Sequence, residues 1–105
     1  MTAADGLIGA VPSDAELITA SRGGDASAYA ELYTRHVDAA RAAGRALCKS
    51  RSDADDVVSE AFAKVLSVLQ RGGGPDLAFR PYLLTSVRNV FYDRAAGAVV
   101  VPNDA

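Results

Sequence analysis

Residues 53–62 read DADDVVSEAF, which places four carboxylates within the eight positions 53–60 of an otherwise apolar segment. Carboxylates at the start of a helix complement the positive end of its macrodipole, and Ser52 is a good N-cap for such a start. Apolar residues then recur at steps of three and four, the period of a helix with one buried side. That side is predicted to consist of Val58, Ala61, Phe62, Val65, Val68 and Leu69. The segment therefore predicts a long amphipathic helix that begins in a cluster of acids.

Two helices are predicted before this segment. Ser13 and Glu16 fit a capping box, and the short helix that they start should end at Gly23-Gly24. Asp25 is the expected N-cap of a longer helix, in which Gly44 lowers stability unless another helix crosses closely there. The buried stripe of this longer helix is predicted to contain Tyr29, Leu32, Tyr33, His36, Val37, Ala40 and Leu47.

One more helix is predicted after the acidic segment. Residues 72–75 read GGGP and should end the preceding helix, whereas Pro81 suits the first turn of the next. We expect this last helix to stop at Gly97 and to turn Leu83, Leu84, Val87, Val90 and Phe91 inward. No alternating pattern of strand length occurs. The predicted fold is all-α, a compact bundle of three long helices plus a short N-terminal helix.

The length and composition of the chain limit its class. The 105 residues suffice for one small domain, and 50% of them are hydrophobic, many of them alanine, which favours packed helices. Cys48 is the single cysteine, so an internal disulfide is excluded, and no segment resembles a membrane span or a secretory signal. We therefore expect a cytoplasmic protein. We divide it into a flexible segment (residues 1–12), a helical domain (13–97) and the start of a linker (98–105).

Charge is separated along the chain although the net charge is only −2. Residues 41–51 carry four bases and no acid, whereas residues 53–60 carry four acids and no base. Two patches of opposite sign would suit two different partners, and a mildly acidic total argues against a general nucleic-acid binder. Ordinary solvated helix faces are an equally simple interpretation of the patches.

The side chains do not form a recognisable catalytic or metal site. Asp53, Asp55 and Asp56 point in different directions from one helical turn, so they do not converge as an acid–base pair must. The spacing lacks the glycine and oxygen ligands of an EF-hand, and His36 has no second ligand at helical spacing. The glycines at 72–74 lack the lysine of a P-loop. We therefore expect neither an enzyme nor a cofactor.

The acidic segment resembles a run in region two of bacterial sigma factors of the extracytoplasmic-function type, members of the sigma-70 family. That run is commonly Asp-Ala-Glu-Asp-Val-Val-Gln-Glu-Thr-Phe, and the chain departs from it at Asp55, Ser59 and Ala61. Residues 24–33, GDASAYAELY, are similar to a second signature of the family, and the resemblance extends from Asp14 to Arg94. It implies that the clamp helices of the RNA polymerase beta-prime subunit bind at Leu32, Arg35, Asp53, Asp56, Val57 and Glu60.

The last helix resembles the part of region two that reads promoter DNA. Tyr82 stands where the family usually has Trp, and Asn89 offers an amide that both donates to and accepts from a base edge. Arg88 would hold a phosphate or stack on a base. In the family the preceding loop captures a base flipped from the minus-ten element. The implied DNA-binding residues are Gly72, Gly73, Gly74, Phe79, Arg80, Tyr82, Ser86, Arg88, Asn89, Asp93 and Arg94.

The resemblance implies a domain that binds core polymerase and recognises and melts the minus-ten element, gripping mainly its non-template strand. An anti-sigma factor is a further possible partner, and no membrane association is expected. Since no helix-turn-helix pattern follows Gly97, we expect a fragment of a longer factor. The alternative is a small helical protein-interaction module that never touches DNA. A duplex-reading repressor domain is disfavoured because no short turn precedes a recognition helix.

Overall fold

The computed structural model describes the backbone of residues 11–104 and the side chains of residues 11–97. It contains four helices, α1 (Asp14–Arg22), α2 (Ala26–Leu47), α3 (Arg51–Gln70) and α4 (Phe79–Asp104), and no strand within the described residues. The three long helices each pack against the other two, and α1 lies mainly against α2. The predicted all-α bundle of three long helices and one short helix is confirmed.

Local capping accounts for the ends of α1 and the start of α2. The Ser13 hydroxyl accepts from the Glu16 amide while the Glu16 carboxylate accepts from the Ser13 amide, which completes the predicted capping box. The helix ends at Gly23, and Gly24 follows in the left-handed region, with φ of 98°. The Asp25 carboxylate then accepts from two amides of α2, as predicted.

Helix α3 begins two residues earlier than a cap at Ser52 predicts. Ser50 is the N-cap, and its hydroxyl accepts a 3.0 Å hydrogen bond from the Asp53 amide. The chain is extended at Cys48, where α2 has ended, and again at Ser50. Because this very short connection already provides a serine in extended conformation, Ser52 is drawn into the first turn.

Helix α4 continues past Gly97 to Asp104, so the predicted stop at Gly97 is wrong. A glycine ends a helix by entering the left-handed region, and Gly97 does not enter it. Alanines at 95, 96 and 98 are strong helix formers that offset the cost of one glycine. Residues 98–104, expected to start a linker, continue the helix, while residues 1–10 of the expected flexible segment lie outside the described residues.

The core is an apolar centre shared by the long helices and joined by Leu17 and Ile18 of α1. Tyr33 is the main departure from the predicted stripe of α2, since 40% of it is exposed. Phe79 is 1% exposed, and its ring centroid lies 6.0 Å from that of Tyr29 and 6.5 Å from that of Phe62. The central residues of the predicted stripes are buried, as predicted. They are Leu32, Val37, Val58, Phe62, Val65, Leu83 and Val87.

A close crossing of α2 and α3 explains the glycine inside α2. A Cβ atom added at Gly44 would lie 3.1 Å from Val58 Cγ2 and 3.3 Å from the Ala54 carbonyl oxygen. The second of these neighbours is backbone and cannot rotate away. The absence of a side chain at Gly44 therefore determines how near the two helices approach.

Replacing Gly44 with Val should lower the free energy of unfolding by about 1–3 kcal/mol, because overpacking forces the helices apart. Gly97→Val is the matched control: a Cβ atom there meets nothing within 4 Å, so the variant should be neutral or slightly stabilising. Urea denaturation followed by circular dichroism measures both. Equal changes in the two variants would mean that the crossing has no steric limit at Gly44.

Candidate functional site

The acidic side of α3 and the end of the predicted DNA-binding helix meet in one ion-pair cluster. Arg94 of α4 donates to Glu60 Oε1 through Nη2 at 2.8 Å and through Nε at 3.1 Å. Lys64 Nζ lies 3.5 Å from the other Glu60 oxygen. The hydrogen bond from Arg94 lowers the pKa of Glu60, and the same bond raises the pKa of Arg94. Asp56 stays exposed one turn before Glu60.

A groove between α3 and α4 collects four of the predicted DNA-binding residues. Tyr82, Ser86, Asn89 and Asp93 follow one another at steps of four, three and four residues, so they form a stripe on one side of α4. The groove has a volume of about 230 Å³. Its opposite wall is formed by α3, through Lys64, Val65 and Val68. We call this feature the α3–α4 groove.

Arg88 lies outside the α3–α4 groove. It is exposed on α4 and precedes Asn89 by one residue, which is about 100° around the helix axis. The neighbouring side chains of Arg88 and Asn89 therefore face different directions. A ligand in the groove would meet Asn89, whereas Arg88 can meet only something that passes along the outer side of α4.

The turn between α3 and α4 is held by glycines and by a residue of α1. Gly72 and Gly74 both adopt φ of 89°, a conformation that side chains disfavour. The Arg22 guanidinium donates to the carbonyl oxygens of Gly73, Gly74 and Pro75. The predicted base-capturing loop is thus an ordered turn, fixed from outside its own two helices.

The start of α4 is tied to α1 through a buried histidine. Arg80 Nε donates to His36 Nδ1 at 3.1 Å, and His36 Nε2 lies 2.6 Å from Asp14 Oδ2. Because Nδ1 accepts, this hydrogen-bond pattern assigns the hydrogen to Nε2, which donates to the carboxylate. Asp14 also pairs with Arg35 at 3.0 Å, and Glu31 pairs with Arg35 at 3.1 Å. These hydrogen bonds from Arg35, the one to Asp14 foremost, raise the pKa of Arg35.

Three of the predicted contact residues have their side chains in the core. Leu32, Val57 and Phe79 are buried, so none of them offers surface to a partner in this structure. Direct contact of these three residues with a partner stays a prediction, and in this structure each packs beneath the helix surface around it. Arg35 remains about one-fifth exposed at its side chain but is already engaged by Asp14 and Glu31.

A second, largely apolar groove lies where the end of α2 meets α3 and α4. Asp53, Arg94 and the ring of Phe91 line it, and its volume is about 540 Å³. Cys48 also lines it, and partial burial raises the pKa of its thiol, which makes the sulfur a poor nucleophile. The remaining lining residues are Leu47, Lys49, Val57 and Ala95.

Sequence reasoning missed four residues of these surfaces: Arg22, Asp14, Lys64 and Leu77. Lys64 was detectable, because it stands four residues after Glu60 and i,i+4 pairs of opposite charge meet on a helix. Leu77 is the large apolar residue of a glycine-rich turn and is 75% exposed. Arg22 gave no local signal, since its partners lie at least 51 residues away in the chain.

The described residues lack two other kinds of site. They contain no cluster of three or more His, Cys, Asp and Glu side chains that could bind a metal ion. None of the described helices combines the length and apolar character that a membrane span requires.

Comparison with known families gives one match, to sigma-70 region 2, over residues 32–98. The matched range includes most of α2, all of α3 and the part of α4 that lines the α3–α4 groove. Comparisons with characterised proteins and with solved structures give no match. Because the family match covers more than half of the chain, the protein belongs to the sigma-70 region 2 family.

Proposed function

We propose that this domain binds core RNA polymerase through the beta-prime clamp helices and then holds the non-template strand of the minus-ten element. The extracytoplasmic-function subgroup is part of the proposal. The observation that carries it is the position of the family match, which spans both the acidic side of α3 and the stripe on α4. The domain itself performs no covalent chemistry in this proposal, since transcription is catalysed by the polymerase.

The polymerase surface is proposed to centre on the exposed carboxylate of Asp56. Glu60 lies one turn further along α3 but is shared between Arg94 and Lys64, so its charge is already partly balanced. A basic group on the clamp would therefore find Asp56 the more available acid. Asp53, which lines the large groove, extends this surface towards the start of α3.

The DNA surface is proposed to be the α3–α4 groove together with the turn before α4. A volume of about 230 Å³ lies below the roughly 300–1,000 Å³ typical of sites for drug-sized ligands, so one planar base suits it better than an extended molecule. Tyr82 supplies a flat ring for stacking, while Asn89 and Ser86 supply polar atoms for a base edge. Lys64 adds a positive charge to the opposite wall.

Two further parts of the proposal follow from the function alone. A sigma factor acts where the polymerase is, so we propose a cytoplasmic location. We also propose that an anti-sigma factor regulates the domain by covering one of these two surfaces. Co-purification of the chain with core polymerase from cells tests the location and the principal partner together.

Neutralising the polymerase surface should weaken binding to core while leaving the fold intact. We expect Asp56→Asn to weaken binding by about 2 kcal/mol or more, because it leaves a basic group of the partner buried at the interface without its counter-charge. Asp55→Asn is the matched control, since it removes the same charge from the same turn on the side that faces Arg41, Arg45 and Arg51. Titration of core polymerase, with circular dichroism of each variant, measures both. If Asp56→Asn binds like the parent, the acidic side of α3 is only solvated.

Two adjacent residues of α4 should affect promoter binding in different ways. Asn89→Ala should change the ranking of minus-ten elements, because an amide in the groove reads a base edge. Arg88→Ala should weaken all elements alike and reduce the slope of log affinity against log salt by about 0.7, as expected for one lost phosphate contact on a single strand.

The measurement is strand binding by the chain assembled with core polymerase, using base-substituted minus-ten strands at several salt concentrations. An unchanged ranking in Asn89→Ala would remove Asn89 as the reading residue. A chain that binds core but no strand would favour the protein-interaction module instead.

A further inference from the structure

One arginine at the end of α1 gathers four consecutive residues of the turn between α3 and α4. Arg22 donates to the Gly73 carbonyl oxygen through Nε at 3.1 Å and through Nη2 at 3.0 Å. Nη2 also lies 3.2 Å from the Gly74 oxygen and 2.8 Å from the Pro75 oxygen. Nη1 forms an ion pair with Asp76 Oδ1 at 3.0 Å. The planar fork of donors in a guanidinium suits this set of acceptors.

The contacts of Arg22 determine what the turn can offer to a ligand. The carbonyl oxygens of Gly73, Gly74 and Pro75 all accept from Arg22, so each already has an acceptor site engaged. The negative charge of Asp76 is paired with the same guanidinium, which reduces its repulsion of a phosphate backbone. The Arg22 contacts therefore reduce both the acceptor capacity and the negative charge that the turn offers to a ligand.

The residue that the turn does present is apolar. Leu77 is 75% exposed and follows Asp76 directly. Two residues later Phe79 is buried among Tyr29, His36 and Phe62, which anchors the far end of the turn. Leu77 is thus displayed between two fixed points, the Arg22 contacts and the Phe79 ring. A fixed apolar side chain is suited to packing on the face of an unstacked base.

We propose that Arg22 is a positioning residue for base recognition: it fixes the turn so that Leu77 packs against the base that the turn receives. This inference rests on the proposed promoter function. Arg22 touches no DNA in this scheme and acts only through residues 73–77. Three glycines at 72–74 would otherwise sample many conformations, and binding would then have to order them.

The test compares two arginines at the same turn. Arg71 is exposed at the end of α3, and its guanidinium binds Ser67 Oγ at 2.7 Å within its own helix. Arg22→Gln should remove the fork of donors from the turn. Arg71→Gln removes one positive charge nearby and leaves the contacts between Arg22 and the turn intact. Each full-length variant is assembled with core polymerase and titrated with minus-ten strands that carry each of the four bases in turn.

We expect the parent chain to prefer one base at one position by about tenfold or more, and Arg22→Gln to reduce that ratio towards unity. Arg71→Gln should keep the parent ratio, and both variants should bind core as the parent does. Compared with Arg22→Gln, Arg22→Lys should recover the overall affinity for the strand but not the preference for one base. The reason is that an ammonium can pair with Asp76 but lacks the planar fork for three carbonyls. A purely structural role of Arg22 would not move the base ratio.

Amide hydrogen exchange separates positioning from loss of fold. In Arg22→Gln the amides of Gly72 and Gly73, which donate to the carbonyl oxygens of Leu69 and Val68, should exchange faster, while those of α2 and the body of α3 keep their protection. Faster exchange in the turn with an unchanged base ratio would overturn the inference. An equal loss of the base preference in Arg71→Gln would also overturn the inference.

If Arg22→Gln unfolds the chain, the Leu77→Ala variant tests the inference instead. It removes the exposed side chain of the turn and leaves the Arg22 contacts in place. A reduced base ratio in Leu77→Ala supports the inference, and an unchanged ratio overturns it. The proposed function fails separately, when the parent chain binds neither core nor strand. If the parent chain prefers one base and the Arg22→Gln variant shows the same preference, only the role of Arg22 is overturned and the proposed function stands.

Discussion

Burial of the Phe79 ring against Tyr29, His36 and Phe62 is the constraint on which the α3–α4 groove and the turn before α4 depend. Phe79 is the first residue of α4, so its inward direction sets the rotation of the whole helix. With that rotation, residues three, seven, ten and fourteen positions later line the α3–α4 groove, namely Tyr82, Ser86, Asn89 and Asp93. It also sets the end of the turn that displays Leu77. Packing in the aromatic cluster therefore determines which polar groups of α4 face a ligand.

The two proposed surfaces are linked by the ion pair between Glu60 and Arg94. Glu60 belongs to the acidic side of α3, and Arg94 belongs to α4, whose stripe of polar residues lines the α3–α4 groove. A clamp residue that competed for Glu60 would release Arg94 towards a phosphate. Since both groups are partly exposed, the pair is weak enough to exchange partners at little cost. In the proposed function, polymerase binding and DNA binding would thus share charges without any rearrangement of the core.

Sequence reasoning succeeded where the determining interaction is local and failed where it is not. Ser13 and Asp25 cap helices through residues two or three positions away, so their roles were predictable. Ser50 and Ser52 fit the cap of α3 equally well by type, and only the end of α2 selects between them. Gly97 could stop or continue a helix, depending on a backbone angle that composition does not reveal. The role of Arg22 rests on contacts across at least 51 residues and had no local signature.

The charge of the domain explains why its two surfaces belong together. A net charge of −2 and a groove lined by both Lys64 and Asp93 supply little general attraction for a phosphate backbone, so a free domain should bind single strands only weakly. Under the proposed function, attachment to polymerase would remove this limitation, because a second binding event on an assembled complex occurs at a high effective concentration. The groove can then discriminate bases without needing strong non-specific affinity. Under the proposed function, weak intrinsic DNA binding is a condition for selectivity: the polymerase would supply proximity, and the side chains of α4 and the turn would supply the choice of base.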